Sequence, residues 1–430
     1  MNRRLGLLFA CSLIVAAPLA SCGGGAEVTG QSPTPAPPSP TPAPTPTPPS
    51  PSPSPPTGTP TLTRTTFMSG LSNPWDMAFL PDGTMFFTEK CNGLSVRLPN
   101  GTVNRLLGMN GTSGYASTAS DLFCEGQSGM HGVAVDPQFG AGNRYVYVFS
   151  ASNRSANPRT NRVLRLEVNS SFTAVANRTD IITDIAFKHV ANGAGSSGAH
   201  SGGRIRFGPD GYLYVTTGDN HSGSLPQDPL RLGGKVLRID RNGAAAPGNN
   251  VPAGFDARIF TYGHRNVQGI AFRPGTGQPF ASEHGPNHSD EVTPLAAGGN
   301  AGWDPQNRPG LTCPDNYCGY AGNASTMPMT DTVRFPNALR PSWTNNGVSQ
   351  GMGPCTFLTG SQWRDWNGRL AVGIMGANRL VILQLDSAGM TTSAVNASIA
   401  AARYRSLVQG PDGNLYIATD GGEIWHVVPN

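Results

Sequence analysis

A short strand–turn–strand pattern returns along this chain and restricts its fold more than any other feature. Phe79-Leu80-Pro81-Asp82-Gly83 precedes Met85-Phe86-Phe87-Thr88, and Val133-Ala134-Val135-Asp136-Pro137 precedes Tyr145-Val146-Tyr147-Val148. Ile205-Arg206-Phe207-Gly208-Pro209-Asp210-Gly211 leads into Tyr212 to Thr217, Ile270-Ala271-Phe272-Arg273-Pro274 follows, and Pro411-Asp412-Gly413 precedes Leu415-Tyr416-Ile417-Ala418-Thr419. Proline presets a backbone angle of such turns, glycine supplies a positive φ, and aspartate bonds the backbone two residues on. The flanking β-branched and aromatic residues favour strands. The turn prolines lie 56, 72, 65 and 137 residues apart. The last gap is about double, so a degenerate copy is expected inside it, and Cys355-Thr356-Phe357-Leu358 followed by Leu370-Ala371-Val372-Gly373 supplies one. Six copies of roughly 60 residues predict an all-β, six-bladed β-propeller, with five or seven blades as the alternatives. Thr61 to Met68 and Ile424 to Val428 are expected to pair and close the ring. Asp82, Asp210 and Asp412 are read as turn formers.

Only part of the 430 residues carries this pattern. Residues 1–22 read as an export leader: Arg3 and Arg4, an uncharged apolar run from Leu5 to Pro18, then Leu19-Ala20-Ser21-Cys22. The run is too short to span a bilayer comfortably. Its ending looks like a bacterial lipobox, which predicts a membrane partner through a lipid on Cys22, at the outer membrane because Gly23 is not acidic; an ordinary cleaved signal is the alternative. Residues 23–60 read as a tether. Between Gln31 and Pro60, 15 of 30 residues are proline and none is charged, a composition that favours extended polyproline II over a core. At about 3.1 Å per residue it reaches roughly 90 Å. Residues 61–430 remain for the propeller.

A formal net charge of +4 without a basic run gives no reason to expect a nucleic-acid partner. Cys11 and Cys22 fall in the leader. Cys91 with Cys124 and Cys313 with Cys318 are the guessed disulfides of an oxidising compartment, with Cys355 left over,; zinc is a weaker alternative because no CxxC spacing is present.

Propellers present functional groups in loops at one mouth of the central channel. Three loop segments stand out here. Gly198-Ala199-His200-Ser201-Gly202-Gly203 offers a single imidazole in front of a strand. Tyr262-Gly263-His264-Arg265-Asn266-Val267-Gln268-Gly269 leads to Ser282-Glu283-His284-Gly285-Pro286-Asn287 around the fourth repeat, and Arg403-Tyr404-Arg405 feeds the last. A histidine in a Gly/Ser loop is by itself most often a turn residue, and His284 with His288 lacks an acidic or cysteine partner at metal-ligand spacing.

These segments resemble the glucose/sorbosone dehydrogenase family, the soluble aldose sugar dehydrogenases that use pyrroloquinoline quinone. The similarity runs from Asn73-Pro74-Trp75 through Glu125-Gly126-Gln127-Ser128-Gly129, Asp136-Pro137-Gln138-Phe139 and the His200 to Asp219 stretch. It continues through Gly234-Lys235-Val236-Leu237-Arg238, Gly263 to Gly269, Glu283-His284-Gly285-Pro286, Gly298-Gly299-Asn300-Ala301-Gly302-Trp303 and Arg403-Tyr404-Arg405. The resemblance implies a six-bladed propeller that oxidises the anomeric hydroxyl of an aldose to a lactone. His200 matches the general base, a role suited to an imidazole that titrates near neutrality. The hydride goes to the quinone because no side chain accepts one. Arg265 and Asn266 match the pair near the reacting carbonyl, Arg403 and Arg405 the holders of the quinone carboxylates, and Asn220 and His284 further cofactor positions. Gly285 and Pro286 match the carbonyl ligands of a calcium ion, and Glu291 a second, structural calcium in some relatives. Gln127 matches a substrate contact, and Trp343 is expected to wall the pocket.

The chain also departs from the family. An acidic residue that precedes the base in some members is Ala199, glutamines are replaced by Asn220 and His284, and a quinone-pairing lysine falls at Gly376. These losses predict a broad or non-glucose substrate, oligosaccharides included, and weaker cofactor binding. The electron acceptor is unknown, and no Cys-x-x-Cys-His haem motif occurs,. A non-catalytic binding propeller and a metal-dependent lactonase are the rivals. Keeping His200, Arg265, Arg403 and Arg405 together argues against the first, and the lack of converging carboxylate and asparagine ligands argues against the second.

Overall fold

A computed structural model describes Gly30, Ser32 and residues 34–36, 57–155, 158–189 and 195–430. The leader with Cys22, and most of the tether, lie outside the described residues. The chain divides into two units, Met1–Pro53 and Ser54–Asn430, and the second contains the propeller. Among the described residues no helix is long and apolar enough to cross a membrane.

Six sheets of four or five strands make the six blades. The innermost strands are Pro74–Phe79, Met130–Val135, Ile205–Phe207, Val267–Phe272, Met352–Phe357 and Tyr404–Gln409, for blades 1 to 6 in chain order. The repeat count and the degenerate fifth copy are both correct: Met352–Phe357 pairs with Leu370–Ile374. Its turn departs from the others because the connection holds the 3₁₀ segment Ser361–Trp366, whose Trp363 and Trp366 are buried. Elsewhere the turn aspartates serve the turns, as Asp82 Oδ1 accepts from the Thr84 N–H at 2.8 Å and Asp210 Oδ1 from the Tyr212 N–H at 3.1 Å. The ring closes as expected. Leu62–Met68 lies on the outer edge of blade 6 against Ile424–Pro429, with Leu62 opposite Pro429 and Thr63 opposite Val428.

Apolar residues on the sheet faces meet between blades. Phe86, Leu94 and Val96 of blade 1 pack on Met130, Val133 and Val146 of blade 2, and comparable clusters lie between each following pair, round to Met77, Phe87, Tyr416 and Ile424 between blades 1 and 6. Burial near 25 cal/mol per Å² of apolar surface drives this packing. The described disulfides are Cys91–Cys124 and Cys313–Cys318, and Cys355 is free and buried.

The inner strands are joined by a polar cluster. Asp76 of blade 1 is fully buried and accepts from both Arg206 Nη atoms at 2.7 Å, from Ser406 Oγ at 2.7 Å and from the Val133 N–H at 3.1 Å. Arg204 lies 2.6 Å from the same carboxylate. It also donates to the Gln268 carbonyl at 3.2 Å and the Arg405 carbonyl at 2.7 Å, with its guanidinium 4.2 Å over the Trp75 ring. Burial opposes the charge on Asp76, but Arg204 and Arg206 outweigh it and hold the carboxyl below its ordinary value.

Asp76→Asn should therefore lower the unfolding free energy by about 3–5 kcal/mol at pH 7, the usual cost of leaving buried charge unpaired. The depressed pKa means that this stabilisation is complete above about pH 4 and is lost as the pH falls through the lower folded-state value. Denaturant titrations of both proteins should converge on acidification; equal stability at pH 7 contradicts the assignment.

Candidate active site

His200 sits in a loop between blades 2 and 3, with a left-handed backbone at φ 50°. That conformation is uncommon for a residue with a Cβ. Asn220 Nδ2 holds it by donating to the His200 carbonyl at 3.0 Å and the Ala199 carbonyl at 3.1 Å. Gly218 lets the loop approach, since a Cβ there would meet the His200 carbonyl oxygen at 2.1 Å. The imidazole is 6% exposed. Its Nδ1 lies 2.7 Å from Asp219 Oδ1, and its Nε2 lies 2.9 Å from His221 Nε2 and 3.1 Å from the Tyr320 hydroxyl.

Asp219 is fully buried and receives the Trp303 indole N–H at 2.8 Å, the Tyr317 hydroxyl at 3.0 Å and the His221 backbone N–H at 3.0 Å. Burial works against its charge, but His200 and Arg265 hold its carboxyl low. The His200 pKa is lowered as well, which for an imidazole favours the neutral ring. Burial first, then the positive charge of Arg265, push its pKa down to about 3, with Asp219 offsetting only part. A neutral imidazole that donates Nδ1–H to an ionised carboxylate leaves a lone pair on Nε2. The arrangement can accept a proton from a hydroxyl.

A cavity of about 350 Å³ opens beside this imidazole. Gln127, Asn266, His284, Arg403 and Arg405 line it together with His200, so six of the sequence-predicted residues share one chamber. Asn266 Oδ1 accepts from the Gly202 N–H at 3.1 Å and from Gln268 Nε2 at 3.0 Å. Arg403 Nε and Arg405 Nη2 each lie 2.7 Å from Asp420 Oδ2. Burial, followed by Arg265, pushes His284 down to about 4, so it too is neutral.

Other predicted residues lie elsewhere. Arg265 is buried one layer behind the lining; its Nη1 donates to the His284 carbonyl at 2.6 Å and its Nη2 to the Tyr320 hydroxyl at 2.8 Å. Asn220 faces a neighbouring cavity with His221 and braces the His200 loop instead of lining the main chamber. Trp343 pairs with Val292 at the edge of blade 4 and packs between blades 4 and 5, so it does not wall the pocket. Glu291 accepts from Thr330 Oγ1 at 2.9 Å, and burial above all pushes its carboxyl up to about 8. Among the described residues no three His, Cys, Asp or Glu side chains converge on a metal position. At Gly376 a Cβ would lie 2.4 Å from the Gln350 carbonyl oxygen, and no lysine fits there without a backbone shift.

The Gly285-Pro286 turn is braced by Asp290, whose Oδ1 accepts from the Gly285 N–H at 2.9 Å and whose Oδ2 accepts from the Gln350 N–H at 2.6 Å. Pro286 lines a groove that shares His284 and Arg403 with the main cavity. The Gly285 carbonyl faces His284 Nδ1 at 2.7 Å. Backbone carbonyls are the ligand type a hard cation takes, and here the Gly285 carbonyl is engaged by the His284 ring.

Sequence reading gave no role to Asp219, His221, Tyr320 or Lys90. Asp219 stood inside the quoted stretch, directly after the strand that faces His200, and that placement was the available signal. Tyr320 follows the Cys313–Cys318 loop without any periodic pattern, and only tertiary folding brings it to His200.

The Glucose/Sorbosone dehydrogenase family model matches residues 71–426. Aldose sugar dehydrogenase YliI of Escherichia coli is 26% identical over 363 residues, covering 84% of this chain and 91% of that protein. Quinoprotein glucose dehydrogenase B of Acinetobacter calcoaceticus is 25% identical over 433 residues, covering 83% and 85%. A crystal structure of glucose dehydrogenase superposes with a TM-score of 0.70 at 26% identity, covering 86% of this chain and 99% of that one.

With a folded-state pKa near 3, the His200 ring should stay neutral where a free imidazole titrates around 6.5. Its Cε1–H resonance, assigned by loss in His200→Ala, should stay flat between pH 8 and 5. Titration near pH 6.5 contradicts the buried neutral state.

Proposed function

The chain belongs to the glucose/sorbosone dehydrogenase family, and on that premise we propose that it is a pyrroloquinoline quinone- and calcium-dependent aldose dehydrogenase. The observation that carries this reading is a buried, neutral, Asp219-oriented His200 beside a cavity whose charged lining is mostly cationic. A planar quinone with three carboxylates matches that lining, and Lys90, Arg403 and Arg405 stand there against one carboxylate, Asp420. The bound quinone would supply the hydride acceptor that protein side chains lack.

The chain's own residues then have distinct tasks. Gln127 presents its amide to the sugar at the cavity wall. The sugar's anomeric hydroxyl takes the place that the Tyr320 hydroxyl holds at His200 Nε2, and Nε2 takes its proton. Asp219 keeps the ring in the tautomer with Nε2 bare and stabilises the imidazolium that forms. Arg265, fixed by the His284 carbonyl, places positive charge behind Tyr320 where negative charge develops. Asn266 holds the Gly202 backbone and keeps the His200 loop in register. Arg403 and Arg405 orient carboxylates, and the carbonyls of Gly285 and Pro286 would hold the calcium.

The groove beyond His284 and Arg403, about 460 Å³ along Pro286, Ser349 and Gln350, supports substrates longer than a monosaccharide. Two disulfides support export,. The proposed chain organisation is a lipoprotein leader over residues 1–22 with lipid on Cys22, a tether over 23–60 and the enzyme over 61–430.

Purified protein supplied with quinone, calcium and an aldose panel should reduce an artificial dye only when both additions are present. His200→Ala should lower kcat by at least about 100-fold and Asp219→Asn by a similar factor, within the range of general-base losses. Dye reduction independent of quinone, or untouched in His200→Ala, would rule out this mechanism. A chain that binds sugar but no quinone would be a binding propeller.

A further inference from the structure

We propose that Lys90 is a cofactor-binding residue that closes on the quinone carboxylates from blade 1, facing the Arg403 and Arg405 pair of blade 6; this rests on the functional reading above. Lys90 follows the strand Met85–Glu89 and lines the same cavity as both arginines. The two arginines share Asp420, each within 2.7 Å of its Oδ2. Lys90 has no such partner: among the described residues it makes no ion pair, and its Nζ donates to a neutral acceptor, the Gly126 carbonyl, at 2.8 Å. Burial and then Arg405 pull its pKa below the ordinary lysine value, with Asp420 acting in the opposite direction. The cavity thus concentrates uncompensated positive charge that an anionic ligand relieves.

The placement of Lys90 is fixed on several sides. Its backbone N–H donates to the Asn73 carbonyl at 3.1 Å and its carbonyl accepts from the Met130 N–H at 2.8 Å. The next residue, Cys91, is bonded to Cys124, at the start of the loop that carries Gly126 and Gln127. A Cβ on Gly129 would lie 2.2 Å from the Lys90 carbonyl oxygen and 2.8 Å from its Cγ, so this loop packs directly on the lysine. When Nζ leaves the Gly126 carbonyl for a carboxylate, that carbonyl is freed beside Gln127, the proposed sugar contact.

The test is equilibrium titration of the full chain with pyrroloquinoline quinone in the presence of calcium, followed by the absorbance of the bound quinone and without sugar. Lys90→Gln should raise Kd at least tenfold and reduce its salt dependence, since one charge contact fewer is made. Lys90→Arg should stay within about threefold of wild type. A thermal melt confirms that both variants are folded. Tight wild-type binding that Lys90→Gln leaves unchanged overturns the Lys90 assignment alone. Failure of the wild type to bind the quinone overturns both this assignment and the dehydrogenase reading.

Discussion

Asp76 collects Arg206, Arg204, Ser406 and the Val133 backbone on one buried carboxylate, and through Arg204 it reaches the Gln268 and Arg405 carbonyls. Blades 1, 2, 3, 4 and 6 are thereby tied at their inner strands by one charged cluster. Apolar packing between blades is nondirectional and tolerates sliding. Hydrogen bonds to a fixed carboxylate do not, so this cluster sets the register of the inner strands. The site depends on that register. His200 immediately precedes the Arg204 segment, Gln268 bonds Asn266, and Arg405 points its side chain to the cavity while its carbonyl is held by Arg204. Such a cluster is stabilising only when every member is partnered, and these are.

Above it, the chemistry rests on keeping one imidazole neutral among charges. Asp219 on the far side would draw a proton onto His200, while burial and Arg265 repel one, and repulsion dominates. The same Arg265 lends its charge to the Tyr320 hydroxyl at 2.8 Å. In the proposed reaction, a base with so low a resting affinity for protons would gain its strength from the developing charges and from Asp219 behind it. The cationic lining also keeps Lys90 and Arg405 in mutual repulsion, which the proposed anionic cofactor would relieve.

The fold was largely legible because a propeller repeats its local chemistry. Each Pro-Asp turn and β-branched strand reports a blade, and even the fifth blade was found by its spacing, although Trp363 and Trp366 replace its turn. The ring closure pairs the first strand of the domain, Leu62–Met68, with the last, Ile424–Pro429, although the first is mostly polar and exposed. Sequence alone named His200, Asn266, His284, Arg403 and Arg405 in segments that the fold brings to one cavity. The site was not legible where function comes from long insertions or from behind the wall. Trp343 turned into the blade 4 edge, while Tyr320, from the disulfide-clipped insertion, took the position at the base. Arg204 and Arg206 alternate in the sequence as strand residues facing one side, but nothing local says that the side they face is the closed centre of the ring. Asn220 was expected at the cofactor because the family resemblance places a cofactor residue beside Gly218-Asp219, and its amide braces the His200 backbone.

The most direct test is a crystal structure of the chain grown with pyrroloquinoline quinone and calcium. The account predicts the quinone inside the cavity beside His200, its carboxylates against Lys90, Arg403 and Arg405, and His200 Nδ1 still on Asp219. A quinone bound elsewhere, or a cavity that remains empty at saturating quinone with the Tyr320 hydroxyl still on His200, would contradict it.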